Sequence, residues 1–352
     1  LAGILLRIVL DQCIAIYITL ACGRVVIQVE IKGMILNLFK RLTQLLPLLF
    51  LLVSVSACEG EKAPIRVSSH VWPGYEFLSL GQQLGYLPQQ KVTLVDSRSA
   101  TECIQMLKQD QADAATLTLD EVLLARSQGL DLTIILIMDI SVGADQLISR
   151  EVIDSLQQLK GKTVALEQTA VGRLLLAKAS ERAGLSLEDF KLLPATIDQH
   201  VELWSEGKVD AIVTYEPVAS TILRQGGHII FDSSQVPETI VDVLAVRTDF
   251  IEENSAMLNL LVSGFFKAQK HFLTNPQDAS YRMSDRLNVP SREVMSLYQG
   301  LELPSIEHNK KLLAPANPQL TEVARDILQL GLFPDNNETM LTKQLHSDKF
   351  LP

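Results

Sequence analysis

Three turns between an apolar run and a helical pattern carry the residues best able to do chemistry. Trp72-Pro73-Gly74-Tyr75-Glu76 sets two aromatics beside a carboxylate. Aromatics at a strand exit can sandwich a flat or apolar solute, while Pro and Gly shape the turn. Phe, Trp and Tyr make up only 5% of the chain, so this pairing favours a binding wall over a surface turn with a core-packed Trp. Tyr215-Glu216-Pro217 is the second turn. Pro suits the first turn of a helix, which puts Glu216 at that helix's N-terminus, either facing a cleft or merely complementing the helix dipole. In Glu167-Gln168-Thr169-Ala170-Val171-Gly172, N–H groups at a helix start could hold a ligand oxygen, unless Thr169 only caps the helix. Thr118 with Asp120, and the stretch Asp139 to Asp145, complete the candidate rim, the latter as a cleft edge or an ordinary turn.

Catalytic constellations are poorly supported. His70 and His200 have no Ser or Cys nucleophile paired with them by sequence, and G-x-S-x-G is absent. Cys103 lies beside Ile104 on a helical pattern and is expected to pack rather than react. Gly161-Lys162-Thr163 matches the end of a phosphate-binding loop, but Leu156 stands where the first glycine belongs and a strand pattern follows. The four Cys (Cys13, Cys22, Cys58, Cys103) form no C-x-x-C pair, and the six His show no H-x-x-x-H spacing. Neither a metal nor a cofactor is called for.

The elements that must position these turns alternate. Strand patterns at Ile65–Val71, Val92–Val95, Ala112–Leu117 and Leu132–Met138 are interleaved with helical ones at Glu76–Gly85, Ala100–Gln109 and Asp120–Gln128. After Lys160-Gly161-Lys162 the alternation restarts, with strands at Thr163–Leu166, Lys191–Leu193, Ala211–Thr214, Ile229–Phe231 and Val241–Val246. Helical patterns at Val171–Ala183 and Asp198–Glu206 lie between them. From Asp249 the chain reads as almost wholly helical. Strand–helix alternation with uninterrupted apolar strands implies α/β layers on parallel sheets. Asp113-Ala114 followed by Thr118 and Asp120 is echoed by Asp210-Ala211 followed by Thr214 and Glu216. The echo suggests two α/β lobes with similar polar edges and a ligand cleft between them, although Asp-Ala could also be common strand-start chemistry.

The 352 residues suffice for about two domains. Charge narrows the partners. Lys plus Arg is 31 against 41 Asp plus Glu, a net charge of −10. Beyond residue 57 the balance is 26 basic to 39 acidic, or −13. Such a body is ill suited to nucleic acid, which needs a basic face. Upstream, Met34 opens a short segment with Lys40 and Arg41, then an apolar run from Leu45 to Val55, then Ser56-Ala57-Cys58. Residues 34–57 have the order of a secretory signal, and Val55-Ser56-Ala57-Cys58 resembles a bacterial lipobox. That makes Cys58 the expected lipidated first mature residue; an uncleaved membrane anchor is the other reading. Residues 1–33 are read as lying upstream of the true start, with an extra membrane segment as the alternative.

The turns together resemble periplasmic solute-binding proteins of ABC importers, in the nitrate/sulfonate/taurine and thiamine-pyrimidine-precursor group. The resemblance rests on Trp72-Pro73-Gly74-Tyr75, Asp113-Ala114-Ala115, Ser155-Leu156 leading to Leu159-Lys160-Gly161-Lys162-Thr163-Val164, and Val209-Asp210-Ala211 to Glu216-Pro217. It implies a two-lobed, type II-like fold joined by two crossings and closing on one small solute without altering it. The expected lobes are 64–152 plus 248–352, and 153–247, with crossings near Arg150–Ser155 and Ala245–Asp249. It also implies a monomeric receptor outside the cytoplasm, lipid-anchored to the membrane, that delivers its solute to an ABC permease. The site residues expected from the turns are Trp72, Tyr75, Glu76, Thr118, Asp120, Asp145, Thr169, Tyr215 and Glu216. Their acidity departs from what nitrate or sulfonate requires and favours an amine-bearing or heteroaromatic solute. Related folds include enzymes of pyrimidine and menaquinone synthesis, so an enzyme is the main rival, followed by a ligand-sensing subunit.

Overall fold

The computed structural model describes residues 15–20, 23–28, 62–150, 153–167, 171–334 and 337–352. The chain divides into two units, Leu1–Lys62 and Ala63–Pro352. In the first, β1 (Ala15–Leu20) and β2 (Gly23–Gln28) form an antiparallel hairpin, with Ala15 opposite Gln28. The signal-like segment, including the lipobox and Cys58, lies outside the described residues. Among the described residues no helix is long and apolar enough to cross a membrane.

The second unit holds two sheets. Its strands in chain order are β3 (Ile65–Ser69), β4 (Val92–Asp96), β5 (Ala114–Thr118), β6 (Leu132–Ser141), β7 (Asp145–Arg150), β8 (Thr163–Leu166), β9 (Lys191–Pro194), β10 (Ala211–Tyr215), β11 (Gly227–Asp232), β12 (Val241–Arg247) and β13 (Leu301–Glu302). The six-stranded sheet has the order β13-β6-β12-β5-β3-β4, and the five-stranded sheet β11-β7-β10-β8-β9. Every residue of β5, β6 and β10 is buried, as their apolar runs require of strands covered on both faces.

Both sheets are mixed rather than parallel. β3 runs parallel to β4 and β5, but β12 is antiparallel to β5 and β6; β7 is antiparallel to β10 and β11. The reason is that β7 and β12 are each reached by crossing from the other sheet, without the helical crossover that returns a chain parallel to its neighbour. The crossings therefore lie at 142–144 and 233–240, not near Arg150–Ser155 and Ala245–Asp249. β7 belongs with the second lobe and β12 with the first, which moves both expected lobe boundaries. The two crossings are tied together: Ser141 Oγ and Ser233 Oγ are 2.7 Å apart, and Gly143 N–H donates to Ser233 Oγ at 2.6 Å. Gly143 has φ +130°, a conformation that L side chains rarely adopt.

Helices cover the sheets: α1 (Glu76–Gln83), α2 (Ala100–Lys108), α3 (Leu119–Ser127), α4 (Val171–Ala183), α5 (His200–Ser205), α6 (Val218–Arg224), α7 (Ile251–Thr274) and α8 (Pro276–Leu287). The helical tail packs on the first lobe. Phe77 of α1 meets Phe265 of α7 edge-on at 5.4 Å, and buried Asn309 pairs with both backbone groups of Ile137 on β6. The echoed Asp-Ala pairs have matching jobs. Asp113 accepts from Arg66 N–H at the start of β3, and Asp210 from Thr163 N–H at the start of β8, each at 2.8 Å. Each aspartate fixes a neighbouring parallel strand, so both lobes bring the ends of their strands to the same gap.

Candidate functional site

That gap is lined by His70, Trp72, Tyr75, Thr118, Glu121 and Asp242 of the first lobe and by Asp145, Val171 and Tyr215 of the second. Its cavity volume is about 10 Å³. That is room for about one water molecule. The walls meet through rings: Tyr215 stands edge-on to Trp72 at 5.5 Å and lies tilted to His70 at 6.1 Å.

Each side chain is placed by its element. Trp72 follows β3 and turns in, its indole Nε1–H donating to Asp139 of β6 at 3.1–3.2 Å. Gly74 is required by proximity, since a Cβ there would stand 1.7 Å from Asp139 Oδ2. Tyr75 donates its hydroxyl to Asp242 Oδ1 at 2.5 Å. Asp139 and Asp242 face each other across β6 and β12. Burial raises both above the ordinary carboxylate range, so the pair retains a proton. Burial also pushes Asp145 up to about 7 against its hydrogen bond with Ser141, and raises Glu121 well above its usual value, with the charge of Asp120 adding to the effect. Asp145 Oδ2, Asp242 Oδ2 and the Tyr215 hydroxyl are buried with no hydrogen-bond partner. A buried polar atom without a partner costs about 1–3 kcal/mol, so the site suits a solute rich in donors.

Of the residues expected from sequence, Trp72, Tyr75, Thr118, Asp145 and Tyr215 meet in this gap. Glu76 does not: it is fully buried beneath the turn and ion-paired to Arg286 of α8. Asp120 accepts from the Thr118 hydroxyl at 2.6 Å and positions that residue. Glu216 turns onto its own helix, accepting from Ser220 N–H and Oγ–H at 3.2 and 2.9 Å. Its alternative reading, complementing the helix dipole, is the one the geometry matches. Thr169 lies outside the described residues. Four lining residues were missed: His70, Glu121, Val171 and Asp242. Glu121 had a signal, since Thr118 and Glu121 have capping-box spacing and form that box. Asp242 also had one, as the only acid in an otherwise apolar strand run.

One contact bears on the enzyme alternative. Cys103 Sγ lies 3.9 Å from His70 Nδ1, a pairing invisible in sequence. Burial pushes the thiol up to about 12 and the imidazole down to about 3. Both stay neutral, the opposite of an activated thiolate–imidazolium pair. Among the described residues, no group of three or more His, Cys, Asp and Glu side chains could hold a metal ion.

The buried acids set the pH dependence of stability. Asp145 and Glu76 both rise to about 7 from ordinary values near 4, so the folded state holds protons that the unfolded chain has released. Stability then falls as pH rises through that window. His70 and His200, lowered to about 3 and 4 by burial, oppose this trend below about 6.5. Urea unfolding is expected to show a net loss from about pH 6.5 to 7.5, where the opposing contribution of the histidines fades while the acids still titrate; a rise in stability across that interval would contradict it.

A sequence profile described as NMT1/THI5 like matches residues 72–279. The chain belongs to the NMT1/THI5-like family. The match begins at Trp72 and includes every cleft residue except His70. A candidate aliphatic sulfonates-binding protein of Escherichia coli (strain K12) is 23% identical over 257 residues, 69% of this chain and 78% of that one. The alkanesulfonate-binding protein SsuA of Xanthomonas axonopodis pv. citri, solved with MOPS bound, superposes with a TM-score of 0.68 at 16% identity, covering 79% of this chain and 96% of the other. The periplasmic nitrate-binding protein NrtA of Synechocystis PCC 6803 gives a TM-score of 0.65 at 12% identity, covering 82% and 88%. This member of the NMT1/THI5-like family thus has the periplasmic binding protein fold, as its turns imply.

Proposed function

We propose that this chain is an extracytoplasmic solute-binding protein that captures a small amine-bearing or heteroaromatic molecule and delivers it to an ABC permease. The observation that carries the ligand class is the cleft itself. Trp72, Tyr75 and Tyr215 offer ring faces and edges, while Asp145 and Asp242 each present an unpartnered buried oxygen. A flat, donor-bearing solute would stack on the rings and donate hydrogen bonds to these oxygens, charge-assisted where it carries an ammonium group. The lobes would part to admit it and close on contacts made only when both walls engage it. Support for capture rather than turnover comes from the unactivated Cys103–His70 pair and from relatives named as binding proteins. The lipid anchor on Cys58 is proposed from the lipobox, and a location outside the cytoplasm from that motif and the periplasmic relatives.

Calorimetric titration tests the ligand class. A 4-aminopyrimidine or a primary amine should bind, whereas ethanesulfonate should not. Tight binding of ethanesulfonate with none of the amines or pyrimidines would overturn this reading. Mass spectrometry of the mature N-terminus and of co-purified small molecules tests the lipid and the capture together.

A further inference from the structure

Helix N-termini that face a cleft are natural seats for anions, because their N–H groups are unpaired and their dipoles favour negative charge. In this chain two such ends, one from each lobe, are already filled from the opposite lobe. Glu121, in the first turn of α3, accepts from Thr118 N–H at 2.8 Å on its own helix. It also accepts from the backbone N–H of Val171, the first residue of α4 in the second lobe. In return, Glu167, which follows β8 of the second lobe, reaches α2 of the first. Its Oε1 accepts from Thr101 N–H at 3.1 Å and from the Thr101 hydroxyl, and its carboxylate is also bonded by the side chain of the N-cap residue Ser99. Both carboxylates are buried, and Glu167 Oε2 has no partner.

We propose that Glu121 and Glu167 act as built-in hydrogen-bond acceptors that latch the lobes together and deny these helix N-termini to an anionic solute. The inference rests on the cleft being the solute site and makes these two residues determinants of its specificity. Neither needs to touch the solute. Each instead takes a place that a sulfonate or nitrate would compete for, so the closed cleft is left to uncharged or cationic groups. Closure and selectivity then have one origin, since the bonds that shut the lobes also consume the anion-binding donors.

The test has one readout that needs no solute. Amide hydrogen exchange should quicken at least tenfold at Thr101 in Glu167→Ala and at Val171 in Glu121→Ala, with the β6 and β12 amides still protected as a check on folding. Thr101→Val, which keeps shape and charge, should show a smaller change at Thr101. In calorimetry, the Glu121→Ala/Glu167→Ala protein should bind ethanesulfonate at least tenfold more tightly than the parent. Unchanged exchange at both amides, or unchanged ethanesulfonate affinity, would overturn the proposal. Failure of the parent protein to bind amines or pyrimidines would instead count against the ligand class, and leaves the exchange result to judge the latch.

Discussion

Asp145→Asn should weaken binding of an amine-bearing solute by roughly 10- to 100-fold while leaving the fold intact. A hydrogen bond to a charged group contributes about 1.5–3 kcal/mol, and each 1.4 kcal/mol is a factor of ten. Asp145 is the appropriate position because Oδ2 is buried without a partner and the residue opens β7, on the wall facing Trp72. Asn keeps the shape but can no longer carry charge. The same change should raise stability above about pH 7.5, because burial has already pushed Asp145 up to about 7 and an amide avoids a buried anion. Affinity and stability therefore move in opposite directions, which separates a site residue from a structural one. Calorimetry and urea unfolding on the same preparation check both; an unaltered affinity would place recognition elsewhere.

Arg286→Met should cost about 3–5 kcal/mol of stability at about pH 8, the range for removing one partner of a buried ion pair. Glu76 is fully buried, and Arg286 is its only ion-pair partner among the described residues. Arg286 also donates to Asp96 at 2.9 Å and to the Ser69 carbonyl at 3.3 Å, pinning α8 to the ends of β3 and β4. Even with Arg286 present, burial pushes Glu76 up to about 7. Without it, the carboxyl must take a proton to stay inside, so the loss should shrink as pH falls to about 7 and below, where Glu76 is protonated in the folded state of both proteins. Adding Glu76→Gln should recover much of the loss, as expected for coupled neighbours. Urea unfolding at about pH 5 and 8 distinguishes this from loss of Arg286 packing alone, which would be independent of pH.

Sequence and structure part company where residues far apart in the chain meet. Trp72 and Tyr75 were legible because rare aromatics cluster at a strand exit, and Tyr215 because its turn echoes another. Glu76, Asp120 and Glu216 had the right residue type at the right turn but point elsewhere. Which way a helix-start carboxylate faces depends on what lies beside it: Arg286 from the distant tail for Glu76, Thr118 for Asp120, and Ser220 one turn along for Glu216. The Asp139–Asp242 pair was hidden because its members lie 103 positions apart and meet only through the register of β6 with β12.

Local chemistry on its own determined that this is an α/β chain with two similar lobes, helical after Asp249 and acidic in its body, because periodicity, capping and charge are carried by near neighbours. Tertiary structure decided which lobe each strand joins, which acids face the cleft and which are tied down. Those outcomes depend on strands that cross between sheets and on contacts between distant segments, and no local pattern encodes either.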